Sequence, residues 1–187
     1  MKRAIFITGT DTGIGKTVVS GLLAKYILEK GESVITQKWI QTGSSDMPLD
    51  IKTHLKIMGK NKDYIKGHLN DVCPYVFKFS ASPHLASKIE GRLISEEKII
   101  KSFKRLSSEF DWVIVEGTGG VLVPFSSKSL IIDLAVKLDL EVLLVAVNLR
   151  VKTHLYFQYL YGGFYVHRHQ LLHCRVSCDF LASKIGR

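Results

Sequence analysis

Apolar positions along this chain fall into two patterns, short unbroken runs and longer stretches at helical spacing, and the two alternate. Arg3-Ala4-Ile5-Phe6-Ile7 is rich in β-branched and aromatic residues, the pattern of a buried parallel strand. Val18, Val19, Leu22, Leu23, Tyr26 and Ile27 then recur at helical spacing, with Gly31 as the helix stop. Residues 33–38 predict a second strand, and Ile51–Met58 a helix opened by Asp50. Residues 60–72 are polar and lysine-rich and read as a connecting loop. Val72–Phe79 reads as a strand with Pro74 at its edge, followed by a short helix near Leu85–Ile89. A helix over Ser95–Leu106, a buried strand at Asp111–Val115, a helix from Ile131 and a strand over Glu141–Val147 complete the series. Strands alternating with helices predict an α/β fold with a mostly parallel sheet and helices on both faces. Beyond that, Tyr156, Tyr159, Tyr161 and Tyr165 lie among histidines with no period of either kind. The chain is therefore divided into a folded domain, 1–150, and an atypical tail, 151–187, with an incomplete or irregular C-terminal part.

Composition narrows the class. A length of 187 residues, 46% of them apolar, suits one domain with a packed core. No window holds 18 uninterrupted apolar residues and the N-terminus leads straight into a strand, so neither a membrane span nor a signal peptide is expected. The three cysteines are an odd number and do not suggest a disulfide framework, which makes the cytoplasm the default compartment. A formal charge of +9 raises nucleic acid as a partner. The lysines, however, cluster at 56–66 and 98–105 between apolar residues at helical spacing, as on solvated helix faces, so no nucleic-acid partner is expected. Positive potential also suits an anionic nucleotide.

The chemistry concentrates where the first strand meets the first helix, at Gly9-Thr10-Asp11-Thr12-Gly13-Ile14-Gly15-Lys16-Thr17-Val18. A strand, a glycine-rich turn and Gly-Lys-Thr opening a helix are the context of a phosphate-binding loop. Backbone amides there point at phosphate oxygens, and the helix terminus adds partial positive charge. Lys16 is placed to reach the β- and γ-phosphates and the Thr17 hydroxyl to sit on Mg²⁺. The loop is one residue longer than the usual Walker A spacing. Lys38 and Thr42 fall at the carboxyl end of the second strand, on the same rim as that loop, where open parallel sheets bind ligands. Glu116 closes the Asp111–Val115 strand and leads into Gly117-Thr118-Gly119-Gly120, a turn that lets backbone approach phosphate. This pairing reads as a second metal-and-phosphate element, with Glu116 at a strand tip rather than in the core. His84, after Pro83, reads as a capping or loop residue.

Four motifs together resemble one family, dethiobiotin synthetase, within the wider group of P-loop enzymes that includes cobyrinate amidases and partition ATPases. They are the loop at 9–17, Lys38-Trp39-Ile40-Gln41-Thr42-Gly43, Ser82-Pro83-His84 with Glu90-Gly91-Arg92, and Val115-Glu116-Gly117-Thr118-Gly119-Gly120. Trp39 stands where the family carries proline, and Thr118 where it carries alanine. The resemblance implies a P-loop NTPase-like fold, with 1–150 as the nucleotide-binding and catalytic domain. It also implies an ATP-dependent cyclo-ligase that forms the ureido ring of dethiobiotin from 7,8-diaminononanoate and CO₂ or bicarbonate, in biotin biosynthesis, as a homodimer. Lys16 and Lys38 would be catalytic. Gly13, Ile14, Gly15, Lys16, Thr17, Val18, Asp50, Glu116, Gly117, Thr118 and Gly119 would bind nucleotide. Thr42 would meet the substrate, and Thr17, Asp50 and Glu116 would hold Mg²⁺, with Asp46 a competitor for the place of Asp50.

The family pattern is lost after Val147. Arg150 stands where a glycine is expected, and the later Asn-Asp element and adenine-binding loop are not found. A reading-frame change near Leu149 would produce such a join, and resequencing the coding DNA tests it. His167, His169, His173, Cys174 and Cys178 match no standard zinc spacing. Two rival readings remain: a truncated or frame-shifted remnant that still binds nucleotide, and a partition or switch ATPase. The second would carry an earlier lysine in the loop, where Thr10-Asp11-Thr12 stands. On the remnant reading, residues from about 151 onward are poorly ordered or unlike the family, selectivity among nucleoside triphosphates is weak, and turnover is low or absent.

Overall fold

A computed structural model describes residues 3–127 and 129–146 of the chain. Expectations about the remainder, including Arg150, the histidine–cysteine group and the order of the tail, lie outside the described residues.

Four strands, β1 (Arg3–Gly9), β2 (Val34–Lys38), β5 (Trp112–Glu116) and β6 (Glu141–Val145), form one parallel sheet in the order β2-β5-β1-β6. Successive residues of a strand face opposite sides, and here both sides are apolar. Phe6, Ile35, Val113 and Val115 enter one core, whereas Ile7, Val34 and Ile114 enter the other. Helix α1 (Lys16–Glu29) supplies Ala24 and Ile27 to the second core. Helices α5 (Glu96–Glu109) and α6 (Ile131–Lys137) supply Ile99, Phe103, Leu106, Ile131 and Leu134 to the first. The expected α/β layering with helices on both faces is what the chain adopts.

Register, more than strand count, decides which polar side chains meet at the rim of the sheet. Lys38 is the pairing partner of Glu116 across β2 and β5, and Ile7 pairs with Glu116 on its other side. The far ends of β2 and β5 are tied as well, because Ser33 donates through N–H and Oγ to Asp111 Oδ2 at 3.0 and 2.6 Å. A parallel ladder anchored at its start delivers its last residues side by side.

Four local readings need correction. The buried stripe of α1 is Ser20, Gly21, Ala24 and Ile27, while Val18 and Tyr26 are exposed. Small residues line it because α2 (Leu49–Met58) crosses so closely that a Cβ at Gly21 would stand 2.8 Å from Ile57 Cδ1. The segment 60–72 is not a plain loop. It forms a 3₁₀ turn (Lys62–Ile65) and a short helix α3 (Leu69–Val72), held down by buried Ile65 and by Tyr64 Oη donating to Val34 O at 2.8 Å. The strand expected over Val72–Phe79 shrinks to β4 (Tyr75–Val76), paired in parallel with β3 (Ile40–Gln41) as a separate two-stranded sheet. Val72 belongs to α3 and Pro74 has no N–H to give a ladder, which shortens that strand. His84 sits in the first turn of α4 (Pro83–Ile89) rather than in a loop, and no side-chain hydrogen bond from the described residues caps that helix.

The lysines of both sequence clusters lie on exposed helix and turn surface. Among the described residues no helix is long and apolar enough to cross a membrane. Cys73 is a free, buried thiol whose pKa burial pushes up to about 12, which leaves it unreactive at neutral pH.

Candidate active site

Strand β1 ends at Gly9, and the chain turns through residues 10–15 before α1 begins at Lys16. Gly13 and Gly15 have φ of +70° and +98°, a region that costs an L side chain about 1–2 kcal/mol per residue. Gly15 is also the N-cap of α1, so the first turn of that helix opens directly onto the loop. Lys16 is buried and its Nζ donates to Asp11 O at 2.5 Å, bending the side chain back over the loop it belongs to. Its pKa is held below the ordinary value, first by burial and next by the charge of Lys38.

Lys38 and Glu116, brought side by side by the register of β2 and β5, make the centre of the site. Lys38 is 3% exposed and Glu116 1% exposed, so the pair stands out of water. Lys38 Nζ lies 2.9 Å from Glu116 Oε1, 2.6 Å from Asp50 Oδ2 and 3.0 Å from Gly117 O. Burial alone would lower the Lys38 pKa, yet Glu116 and Asp50 more than offset it and the pKa is raised. Burial would likewise raise that of Glu116, but the His54 hydrogen bond and the Lys38 charge bring it down to about 2. Glu116 is therefore buried and ionised: it ends its strand as expected but lies in the core rather than outside it.

Thr17, in the first turn of α1, joins the two carboxylates: its Oγ1 lies 3.0 Å from Glu116 Oε1 and 3.4 Å from Asp50 Oδ1. Asp50 arrives from the first turn of α2. Asp46 is exposed in the preceding loop and shares none of these contacts among the described residues. Thr42 is half-buried just after β3, and among the described residues its hydroxyl enters no hydrogen bond of the cluster. The turn after β5 approaches the core so closely that a Cβ at Gly117 would stand 2.9 Å from Phe6 Cζ. The Thr118 hydroxyl donates to Ile40 O, which ties that turn to β3.

One feature of the site lies outside the four motifs, and another stands inside one of them as a departure from the family. His54, fully buried on α2, places Nε2 2.7 Å from Glu116 Oε2. Its spacing four residues after Asp50 puts both on one helix face, the signal that was there to read. Trp39 stacks on Phe6 with centroids 5.2 Å apart and an interplanar angle of 21°, and donates from Nε1 to Gln37 Oε1 at 2.9 Å. Its indole is thus a core side chain. Arg92 donates to Val76 O at 3.1 Å and Glu90 Oε1 accepts from Phe79 N at 2.8 Å, so this part of the middle segment braces β4.

Chemically, the arrangement offers one hydroxyl and two carboxylates converging from three elements, with two lysines around them. These are hard oxygen donors, suited to Mg²⁺ held by one or two carboxylates together with phosphate oxygens. Among the described residues no group of three or more His, Cys, Asp and Glu side chains is clustered to hold a metal by itself.

Comparison with known proteins places these features in a wider set. A family model described as an AAA domain matches residues 3–157. The ATP-dependent dethiobiotin synthetase BioD 2 of Haemophilus influenzae is 43% identical over 135 residues, covering 71% of this chain and 69% of that protein. BioD 2 of Pasteurella multocida is 41% identical over 150 residues, covering 78% of this chain and 68% of that protein. The ATP-dependent dethiobiotin synthetase BioD of Chlorobaculum tepidum is 47% identical over 132 residues, covering 70% and 54%.

Proposed function

Because the chain belongs to the dethiobiotin synthetase family, enzymes of the P-loop AAA-domain class, we propose that it is an ATP- and Mg²⁺-dependent cyclo-ligase. The reaction is closure of the ureido ring of dethiobiotin from 7,8-diaminononanoate and CO₂, in biotin biosynthesis. The observation that carries this reading is the cluster of buried Lys38 and Glu116 with half-buried Asp50 and Thr17 beside the Gly13–Thr17 loop.

One amine of the diamine takes up CO₂ to form a carbamate and releases a proton. The carbamate oxygen attacks the γ-phosphorus of ATP and ADP leaves. The second amine then attacks the carbonyl carbon and the C–O bond to phosphate breaks; the proton lost by the amine leaves with the departing phosphate as the ring closes. Such a sequence asks the protein for positioning and charge neutralisation more than for a nucleophile. Backbone amides of residues 13–18 cradle the β- and γ-phosphates, and Lys16 exchanges its Asp11 carbonyl for phosphate oxygens. Lys38 offers its ammonium to the carbamate and to the phosphoryl group in transit. Gly117, Thr118 and Gly119 would bring backbone to the nucleotide phosphates, and Thr42 would hydrogen-bond the substrate amine or carbamate. Thr17, Asp50 and Glu116 would hold Mg²⁺, which would supply positive charge to the nucleotide phosphates. The enzyme acts in the cytoplasm as a homodimer on this reading.

The test is purified protein with ATP, MgCl₂, bicarbonate and diaminononanoate, following both phosphate release and dethiobiotin by mass spectrometry. Phosphate release that needs both the diamine and bicarbonate, with stoichiometric dethiobiotin, is expected. Hydrolysis of ATP indifferent to the diamine would point instead to a switch-type ATPase.

A further inference from the structure

The proposed metal site leaves one buried group without a task. His54 is 0% exposed, and its Nδ1 has no hydrogen-bond partner among the described residues. Its other ring nitrogen, Nε2, meets Glu116 Oε2 at 2.7 Å. The remaining oxygen of the same carboxylate, Oε1, faces Thr17 Oγ1 at 3.0 Å and Lys38 Nζ at 2.9 Å. The two oxygens of Glu116 are thus divided: one looks into the site and the other is held from α2.

Donor counting assigns the proton. Glu116 already accepts from Lys38 and Thr17, so its carboxylate is an acceptor on that side. An ionised carboxylate offers no donor, so His54 Nε2 must carry the hydrogen that lies between them. A buried imidazole with one nitrogen unpartnered is a cost that an aliphatic side chain would avoid. Leucine would fill the same helical position with no polar atom to satisfy. What His54 adds over leucine is a single directed hydrogen bond onto the far oxygen of Glu116.

We propose that His54 is a positioning residue that fixes the Glu116 carboxylate, so that Oε1 is presented to the divalent cation beside Thr17. The inference rests on the reading of Glu116 as a metal-holding residue. Asp50 and His54 occupy one face of α2 a single turn apart. The same short helix therefore brings one carboxylate to the site and orients the other, which arrives on β5. Any shift of α2 against the sheet moves both together. Restraints of this kind typically change metal affinity or activity 10- to 100-fold when removed.

The experiment uses Mn²⁺ as the probe, titrated into the full chain in the presence of ATP and read by electron paramagnetic resonance. Thermal unfolding is measured alongside without metal or nucleotide. His54→Leu is expected to fold and to weaken Mn²⁺ binding by about tenfold or more. His54→Gln, whose amide nitrogen can donate to Glu116, is expected to recover much of that loss. Equal Mn²⁺ affinity in wild type and His54→Leu would overturn the proposal, as would His54→Gln binding no better than His54→Leu. Failure of both variants to fold, seen by circular dichroism, would also overturn it by making His54 a core residue. Glu116→Gln separates the two levels. If that variant binds Mn²⁺ as the wild type does, the metal reading itself fails. If it binds poorly while His54→Leu does not, only the positioning role fails.

Discussion

At the scale of single residues, the site is governed by what burial does to charge. Lys16→Ala removes the ammonium that now leans on Asp11 O and that is assigned to the phosphates. Contacts of this kind to a transferring phosphoryl group stabilise the transition state by several kcal/mol, so turnover should fall by about 10³-fold or more. Isothermal titration with ATP and a phosphate-release assay check this, and unchanged affinity and turnover would sink the nucleotide assignment. Glu116 supplies a pH prediction. Its carboxyl is held at about 2 in the folded chain against an ordinary 4.5, so the folded state binds its proton less readily than the unfolded one. Its contribution is therefore complete above pH ~4.5 and is lost as pH falls from there towards about 2. Glu116→Gln should cost roughly 1–3 kcal/mol at pH 7, because Lys38 and His54 lose their ionised partner in a dry site. Urea melts of both proteins without metal should show that gap narrowing from pH 4.5 downward. A gap that stays constant to pH 2.5 would mean that Glu116 is not the group responsible.

At the scale of elements, α5 shows how a locally encoded helix behaves when nothing interrupts it. Ile99, Ser102, Phe103 and Leu106 form its buried face, and the Ser95 hydroxyl accepts from Lys98 N–H at 3.2 Å as the N-cap. Ser95→Ala should cost about 1 kcal/mol. That corresponds to a drop in Tm of about 2–4 °C for a chain of this size, measurable by calorimetry, with ATP affinity unchanged. A loss of ATP affinity as large as the loss of stability would show that α5 is coupled to the site. Helix α1 behaves differently. Its apolar residues run round the helix, and the stripe that is buried is made of Ser20, Gly21 and Ala24, small enough for close approach to α2. Helical spacing identified the helix but not its inner face.

At the scale of the whole molecule, the site belongs to no single element. It needs β2 and β5 in register, the β1–α1 loop, and α2 laid across α1. Nucleotide binding should therefore stabilise the fold as a unit. Ligand at 100 times its Kd adds about 2.7 kcal/mol, a rise in Tm of roughly 5–10 °C. MgATP should produce that rise in the wild type and not in Lys16→Ala, in a calorimetric scan. Competition of ATP, GTP and CTP in the same scan measures base selectivity. Similar shifts for all three are expected where phosphate contacts dominate, whereas a shift confined to ATP would reveal a pocket selective for adenine.

The linear chain determined what local physics can specify. Unbroken β-branched runs specify buried strands, the 3.6-residue period specifies α5, and a glycine-rich turn leading into Gly-Lys-Thr specifies a phosphate loop. Those signals act over a few residues, so they survive without knowledge of the fold. The tertiary structure alone decided the rest, because there each contact joins residues far apart in sequence. Lys38 and Glu116 meet only through parallel register, 78 positions apart. Asp50, not Asp46, reaches them because α2 crosses α1. Trp39 turns inward because Phe6 offers a face to stack on. The strand read over Val72–Phe79 contracts to two residues because its partner is the short β3 rather than the main sheet. His54 carried no motif at all. A lone histidine on a helix becomes chemically meaningful only when folding brings a buried carboxylate within hydrogen-bonding distance, where water no longer weakens the contact.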